Sequence, residues 1–428
     1  PQTLDYLQQV VPATITDAGL GGEEALRVFT EVLAPRCIST DHPGYLSFIP
    51  AAPTEAASLF DLVVSASSIY GGSWAEGAGA VYAENEVLHW LAREAGLPSQ
   101  AGGVFVQGGT IGNLSALVAA RATARLELQA AGASYPERWK FICSSEAHSS
   151  LKTAAAVMDV ELIPAKAGEN GVLSGAAVSA ALELAGEGVF AIVATGGTTN
   201  FGIVDNLHEI GTVAKQNGIW FHVDGAYGLA AMLAPKTRRM FEGIELADSF
   251  IVDPHKWLFA PFDACALVYR NPELARAAHT QHGEYLDTLT ESSDWNPSDF
   301  AINLTRRVRG LPLWFSLATH GVMAYRDAIQ ENIDLAHKIA DEIRRRPALR
   351  LVRDPQLSVV VFERLGWAKA DYQSWSDQLL ERGIAFVVPS SHLGKPNLRF
   401  AIVNPETSFE LLVKILDDLE NFQTAQVE

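Results

Sequence analysis

An α/β fold with a mostly parallel sheet is predicted by three observations. From Val104 onward, short apolar runs alternate with helical patterns, the order expected of strands joined by crossover helices. Several of these runs are apolar throughout and stop abruptly in polar residues, as strands buried on both faces do. A glycine-rich turn, Gly108-Gly-Thr-Ile-Gly112-Asn113, stands between one such run and a helical stretch. Composition agrees: 48% hydrophobic and 19% charged residues among 428 supply an extensive core and argue against disorder.

Taken in order, residues 1–53 read as an irregular arm. A short helical pattern near Glu23–Leu33 leads into His42-Pro-Gly-Tyr45-Leu-Ser-Phe48-Ile-Pro50, where Pro and Gly break regular structure. The arm has too little periodic apolar character to fold alone, so it is expected to wrap a partner surface. Residues 54–312 form the expected large domain. Its helical stretches include Tyr82–Ala95 and Leu114–Leu126, and its strand runs are Val104–Val106, Phe141–Cys143, Val160–Ile163, Val189–Ala194, Trp220–Val223, Phe250–Val252 and Ala264–Val268. Residues 313–428 form the expected small α+β domain. A long helical pattern from Leu311 to Arg345 precedes strand runs at Leu357–Phe362, Ile384–Val388 and Leu398–Val403 and a helix ending near Phe422.

The net charge of −18, from 32 basic and 50 acidic residues, argues against nucleic acid or an anionic membrane as partner. No apolar stretch reaches the length that spans a bilayer. The start, Pro1-Gln-Thr-Leu, lacks the n-region and h-region of a signal peptide and an initiator Met, so a trimmed or processed cytoplasmic chain is expected. Cys37, Cys143 and Cys265 are scattered without metal-ligand spacing, which fits a reducing compartment and structural roles.

The chemistry gathers at strand ends. His222-Val-Asp224-Gly-Ala226-Tyr227 ends one buried run in a carboxylate, and Asp248-Ser-Phe-Ile-Val-Asp253-Pro-His255-Lys256-Trp257 ends the next in a lysine. In open α/β sheets, ligands bind where the strand carboxyl ends converge. A lysine closing an apolar strand is costly to bury unless it is paired, neutralised or used covalently; a lysine snorkelling from a strand end is the plainer alternative, but it leaves Asp224 unexplained. A converging lysine and aspartate suit pyridoxal phosphate (PLP): the amine forms an imine with the aldehyde, and the carboxylate holds the pyridine nitrogen protonated. The glycine-rich turn offers backbone N–H groups to an anion, with Thr110 adding a hydroxyl. It fits neither a Walker loop nor the dinucleotide fingerprint, and alone it is equally a structural turn. His148 can stack on an aromatic cofactor or simply belong to a helix cap with Ser149 or Ser150. Thr198-Thr199 is a turn or a third strand-end contact.

Together these segments resemble the group II PLP-dependent amino-acid decarboxylases, the family of the aromatic L-amino-acid and glutamate decarboxylases. Asp-Pro-His-Lys-Trp and His-Val-Asp-x-Ala-Tyr carry the resemblance, which extends from His42-Pro-Gly-Tyr to Leu398-Arg-Phe-Ala-Ile. It implies a PLP fold-type I (aspartate aminotransferase-like) homodimer with a seven-stranded sheet and shared active sites. By the resemblance Lys256 bonds the cofactor, Asp224 pairs with the pyridine nitrogen, and His148 stacks on the ring. Thr199 and Ala226 lie beside the cofactor, Gly109, Thr110 and His255 match phosphate-binding positions, and Thr305 lies in the segment Asn303–Arg309 that approaches the phosphate across the dimer. Tyr285, in a polar loop, matches the tyrosine that returns a proton to the substrate Cα once carbon dioxide has left. Phe48, Ile49 and Pro50 align with substrate-pocket residues. Gly72 stands where aromatic-acid decarboxylases carry a bulky aromatic, and Tyr70 is the expected compensation.

Two features depart from the family pattern or narrow it. Asp253 replaces an asparagine of animal relatives and is expected to point away from the phosphate, since the two anions repel. The apolar Phe48-Ile-Pro50 stretch and the lack of an obvious basic receptor favour an aromatic or apolar L-amino acid. Glutamate, 2,4-diaminobutyrate and branched aliphatic amino acids stay open, as do a decarboxylating aldehyde synthase, disfavoured by Tyr285, and a non-catalytic protein of the same fold, disfavoured by the intact Lys256, Asp224 and His148.

Overall fold

The computed structural model of the protein describes residues 3–281 and 294–423. Residues up to His42 cluster as one unit and those from Pro43 onward as another. In the first, helix α1 (Leu4–Val10) starts on Thr3, whose hydroxyl accepts the Tyr6 N–H, and no residue of α1 is buried. Helix α2 (Gly22–Arg27) runs into a π-helical turn over Val28–Leu33. Arg27 bridges Glu24 and Glu31 on the exposed side, where water and salt screen the pairing.

In the second unit, helices α3 (Glu55–Ser67) and α4 (Trp74–Glu94) precede the sheet. Its strands are β1 (Gly102–Val106), β2 (Lys140–Ser144), β3 (Glu161–Ala165), β4 (Val189–Thr195), β5 (Trp220–Asp224), β6 (Ser249–Val252) and β7 (Cys265–Tyr269), in the order β1-β7-β6-β5-β4-β2-β3. β6, β5, β4, β2 and β3 pair in parallel. β7 runs antiparallel to both β1 and β6, so β1 points the same way as the other five. Six strands therefore bring their carboxyl ends to one edge. The link from β5 to β6 consists of short 3₁₀ turns rather than an α-helix.

Period-two alternation divides the strand residues between two cores. Phe221, Val223, Phe250, Val252, Ile192 and Ala194 face one, while Trp220, Ile251, Val193, Phe141 and Leu267 face the other. Phe105, Phe141, Phe221 and Phe250 are at most 1% exposed, and each such ring contributes roughly 1.5–3 kcal/mol by leaving water. Helices α5 (Gly109–Ala130) and α6 (Ser150–Met158) lie on the second face; α7 (Gly175–Ala185) and α8 (Leu207–Gln216) lie on the first.

Past the one-turn helix α9 (Pro254–Trp257) and α10 (Pro272–His279), helix α11 spans Leu311–Arg345, the expected helical pattern, but is broken by a kink at Gly321, whose φ is 78°. It packs with α12 (Lys369–Glu381) and α13 (Phe409–Asn421) around an antiparallel sheet ordered β10-β11-β9-β8, made of β8 (Leu349–Leu351), β9 (Val359–Arg364), β10 (Ser390–His392) and β11 (Lys395–Ala401). The strand expected over Ile384–Val388 does not form: Phe386 makes only an isolated bridge to Tyr45. Among the described residues no helix is long and apolar enough to cross a membrane.

Candidate active site

Five elements end at the shared sheet edge, around a cavity of about 310 Å³. β1 delivers Gln107, Gly108, Gly109 and Thr110; the segment after β2 delivers His148; β4 leads to Thr198 and Thr199; β5 delivers Asp224 and Ala226; and the segment after β6 delivers Asp253, His255 and Lys256. Every residue expected from the large domain to bind the cofactor thus lines one space, except Thr305. Phe48, Ile49, Pro50 and Tyr70 are not among the lining residues either, and Tyr285 lies outside the described residues.

Lys256 sits on α9, one turn beyond the strand end that its apolar run suggested. Pro254 occupies the start of this turn, where its fixed φ suits a helix and its missing N–H costs nothing. The turn brings the lysine back over Asp253, whose Oδ2 lies 3.0 Å from Lys256 Nζ. The expectation that Asp253 points away is therefore corrected. Its carboxylate faces the lysine and also accepts a 3.3 Å hydrogen bond from the Gly109 N–H, so the ammonium and the helix start hold it inside the cavity.

Burial works against the Lys256 ammonium, but Asp253 outweighs it and holds the lysine above its usual range. Burial likewise opposes the Asp253 carboxylate, yet Lys256, His255 and the Cys265 thiol bring it below the usual carboxylate range. Burial lowers the His255 imidazole, whose Nδ1 lies 2.7 Å from the Ala264 carbonyl.

Asp224 is anchored twice. Oδ1 accepts from the Ala226 N–H at 3.2 Å, and Oδ2 accepts from the Asn113 side chain at 2.9 Å. His148 Nδ1 lies 3.0 Å from the Ser150 hydroxyl and accepts the Ser150 N–H at 3.2 Å. The alternative role for Ser149, a helix cap through its side chain, is not observed: it stands at the N-cap of α6 without such a bond.

Elsewhere, the Tyr70 ring fills the space above Gly72, where an added Cβ would come 2.3 Å from its hydroxyl. That hydroxyl donates to the Leu304 carbonyl at 3.0 Å, beside Thr305. Phe48 is 58% exposed, whereas Ile49 and Pro50 are buried. Arg399 reaches from β11 to the carbonyls of both Phe48 and Thr199, tying the Phe48 segment to the cavity wall.

These residues fit PLP. The 22-residue helix α5 opens on Gly108 and Gly109 without a capping side chain at its N-cap, so its start faces the cavity, with the Gly109 N–H on Asp253 Oδ2. A Cβ at Gly109 would sit 3.2 Å from Asp253 Oδ2 and from Ala226 Cβ, so backbone rather than side chain is presented there. Gln107 Oε1, Thr195 Oγ1 and Asp253 Oδ1 are buried without hydrogen-bond partners among the described residues, and all three residues line the cavity. Asn113, Ser150, Thr195, Tyr227, Phe262 and Asp263 also line it and were not foreseen. Asn113 and Tyr227 stand within the motifs read from the sequence, and Ser150 is named there only as a helix cap.

Residues 5–365 match the family described as pyridoxal-dependent decarboxylase conserved domain. An aromatic-L-amino-acid decarboxylase of Bacillus atrophaeus is 29% identical over 427 residues, covering 96% of this chain and 88% of that one. The crystal structure of Oryza sativa TDC with PLP and tryptamine superposes with a TM-score of 0.91 at 24% identity, covering 98% of this chain and 91% of that one. Catharanthus roseus tryptophan decarboxylase in complex with L-tryptophan gives a TM-score of 0.86 at 25% identity, with 98% and 91% covered. The fold is that of PLP fold-type I enzymes, as expected. Its cofactor is PLP and its chemistry amino-acid decarboxylation, for the chain belongs to the pyridoxal-dependent decarboxylase family.

Proposed function

We propose that the chain converts an aromatic or apolar L-amino acid to the corresponding amine and carbon dioxide, as a cytoplasmic homodimer. In this reading residues 1–53 are the arm that wraps the partner, 54–312 the cofactor domain and 313–428 the small domain. The observation that carries the substrate class is the charge of the cavity. Among its described lining residues Asp224, Asp253 and Asp263 are acidic, Lys256 is the only lysine, and there is no arginine. Lys256 is engaged by Asp253, so these residues offer no spare lysine or arginine to pair with a carboxylate side chain such as that of glutamate, while an uncharged ring needs none.

When bound, PLP supplies the electron sink that accepts the pair left as the substrate carboxylate departs. Lys256 would hold the cofactor through its side-chain nitrogen. Asp224 would keep the pyridine nitrogen protonated, and His148 would pack against the ring. Gly109, Thr110 and His255 would hold the phosphate at the start of α5. Tyr285 returns a proton to the substrate Cα, and Thr305 reaches the partner's site. The aromatic homologues in the comparison support this assignment, as does the apolar Phe48-Ile-Pro50 segment that Arg399 ties to Thr199.

Carbon dioxide release from a panel of L-amino acids tests the reading, with PLP-loaded wild-type protein and Lys256→Ala side by side. Release is expected from tryptophan, phenylalanine or tyrosine in the wild type and not in the variant. Release from glutamate alone, or equal release by the variant, would overturn it.

A further inference from the structure

Asn113 takes no part in the chemistry proposed above, yet it is 1% exposed and lies where two parts of the site meet. Alternation along β5 places Trp220, His222 and Asp224 on the face that α5 covers, and Asn113 is on the buried side of that helix. Its Nδ2 lies 2.9 Å from Asp224 Oδ2 and 3.0 Å from Ser150 Oγ, and its Oδ1 lies 2.9 Å from His222 Nε2.

The direction of each bond follows from these contacts. A carboxylate paired with an amide accepts, so the NH₂ end of Asn113 must face Asp224. Oδ1 then faces His222, which donates from Nε2. Burial pushes the His222 imidazole down to about 4, so its Nδ1 bears no proton near neutrality and accepts from the Ser249 hydroxyl at 2.8 Å. Ser249 in turn accepts the Trp220 indole N–H at 2.9 Å. On the other arm, the second Asn113 N–H goes to Ser150 Oγ, leaving the serine hydrogen for His148 Nδ1. With the Ser150 backbone N–H also pointing at Nδ1, Nδ1 is the accepting nitrogen and the ring N–H belongs on Nε2.

We infer that Asn113 is a positioning residue that sets, through one amide, both the rotation of the Asp224 carboxylate and the tautomer of His148. The inference rests on the roles proposed for Asp224 and His148. One amide thereby couples Asp224 to His148, although they follow different strands. Aspartate at this position would set a second carboxylate against Asp224. Leucine would match the volume and remove all three bonds.

The test uses protein loaded with PLP labelled with ¹⁵N at the pyridine nitrogen. Its readouts are the ¹⁵N chemical shift and the equilibrium dissociation constant for PLP. Asn113→Leu is expected to move the resonance away from the protonated-pyridine position of the wild type and to weaken PLP binding about tenfold. Ser150→Ala, which cuts only the His148 arm, is expected to leave the pyridine resonance in place and shift the His148 ring nitrogens. If Asn113→Leu does not fold, Asn113→Ser keeps a small polar group and is read in the same way. An unmoved resonance with wild-type affinity in the folded Asn113 variant overturns the inference, as do equal shifts in the Asn113 and Ser150 variants. Absence of any bound pyridine signal in wild-type protein overturns the proposed function as well, so the two failures are distinguishable.

Discussion

Asp253 Oδ2 lies 3.0 Å from Lys256 Nζ, across the single turn that begins at Pro254. The pair holds the lysine above its usual range and the carboxylate below its own. Each shift favours the folded state over part of the pH scale. The lysine contribution is full below the unfolded lysine pKa and is lost as pH rises through the folded value. The aspartate contribution is full above the unfolded aspartate pKa and is lost as pH falls through the folded value. Asp253→Asn removes the counter-charge, so the Lys256 ammonium is expected to lose its proton at lower pH. Reductive methylation of cofactor-free protein across a pH series, with peptide mass mapping at Lys256, reads this directly. An unchanged profile in the variant contradicts the pairing.

Away from the cavity, Arg306 and Glu84 form an ion pair at 2.8 Å, with both side chains 2% exposed. Glu84 also accepts the Gly310 N–H, while Arg306 reaches the Gly71 carbonyl. Burial pushes the Glu84 carboxyl up in spite of Arg306. Deleting one partner leaves the other buried and uncompensated, so Glu84→Ala is expected to cost about 3–5 kcal/mol. Urea unfolding measures this; a loss below about 1 kcal/mol would be the behaviour of a surface pair instead.

Acid sensitivity should trace to buried histidines. Burial pushes His279 down to about 4 from 6.5, and His222 similarly. Between those values the unfolded chain binds protons that the folded chain refuses, so stability falls as pH falls. Asp205, pushed up to about 7 by burial, works in the opposite direction as pH falls from 7. His279→Gln keeps a donor for the Ser115 carbonyl, which His279 Nε2 contacts at 3.0 Å, and removes the titration. Relative to wild type, the slope of stability with pH between 6 and 4.5 should drop by up to about 1.4 kcal/mol per pH unit. Parallel wild-type and variant curves over that interval would refute the assignment to His279.

Tyr285→Phe tests the proton donor assigned by the family resemblance. Loss of a positioned acid typically lowers a rate about 10²–10⁴-fold. Amine formation should fall by at least about 10²-fold, and in air-saturated buffer, with dioxygen as the oxidant and reduced to hydrogen peroxide, aldehyde trapped with a hydrazine should become a larger share of product. A variant that makes amine at the wild-type rate removes Tyr285 from the cycle.

Much of this was legible in the chain because strand burial leaves a local mark. The apolar runs ending in Asp224 and just before Asp253 became the neighbouring parallel strands β5 and β6. Pairing direction leaves no such mark, so the antiparallel β7 between β1 and β6 was not foreseen. The apolar stretch at Ile384–Val388 had the composition of a strand but meets only Tyr45 as bridge partner, and composition cannot supply a neighbour. The β10–β11 hairpin, turning at Leu393 and Gly394 with positive φ, also went unseen. In the site, strand-end residues were found and their supports were not. Asn113 reads as one polar residue in a helix until His222, Asp224 and Ser150 are placed around it.

The most direct measurement is mass spectrometry of the product formed when PLP-loaded protein is incubated with individual L-amino acids. One predominant amine is expected, lighter than its aromatic or apolar parent by the mass of carbon dioxide. Absence of amine from every amino acid, or aldehyde as the main product, would contradict it.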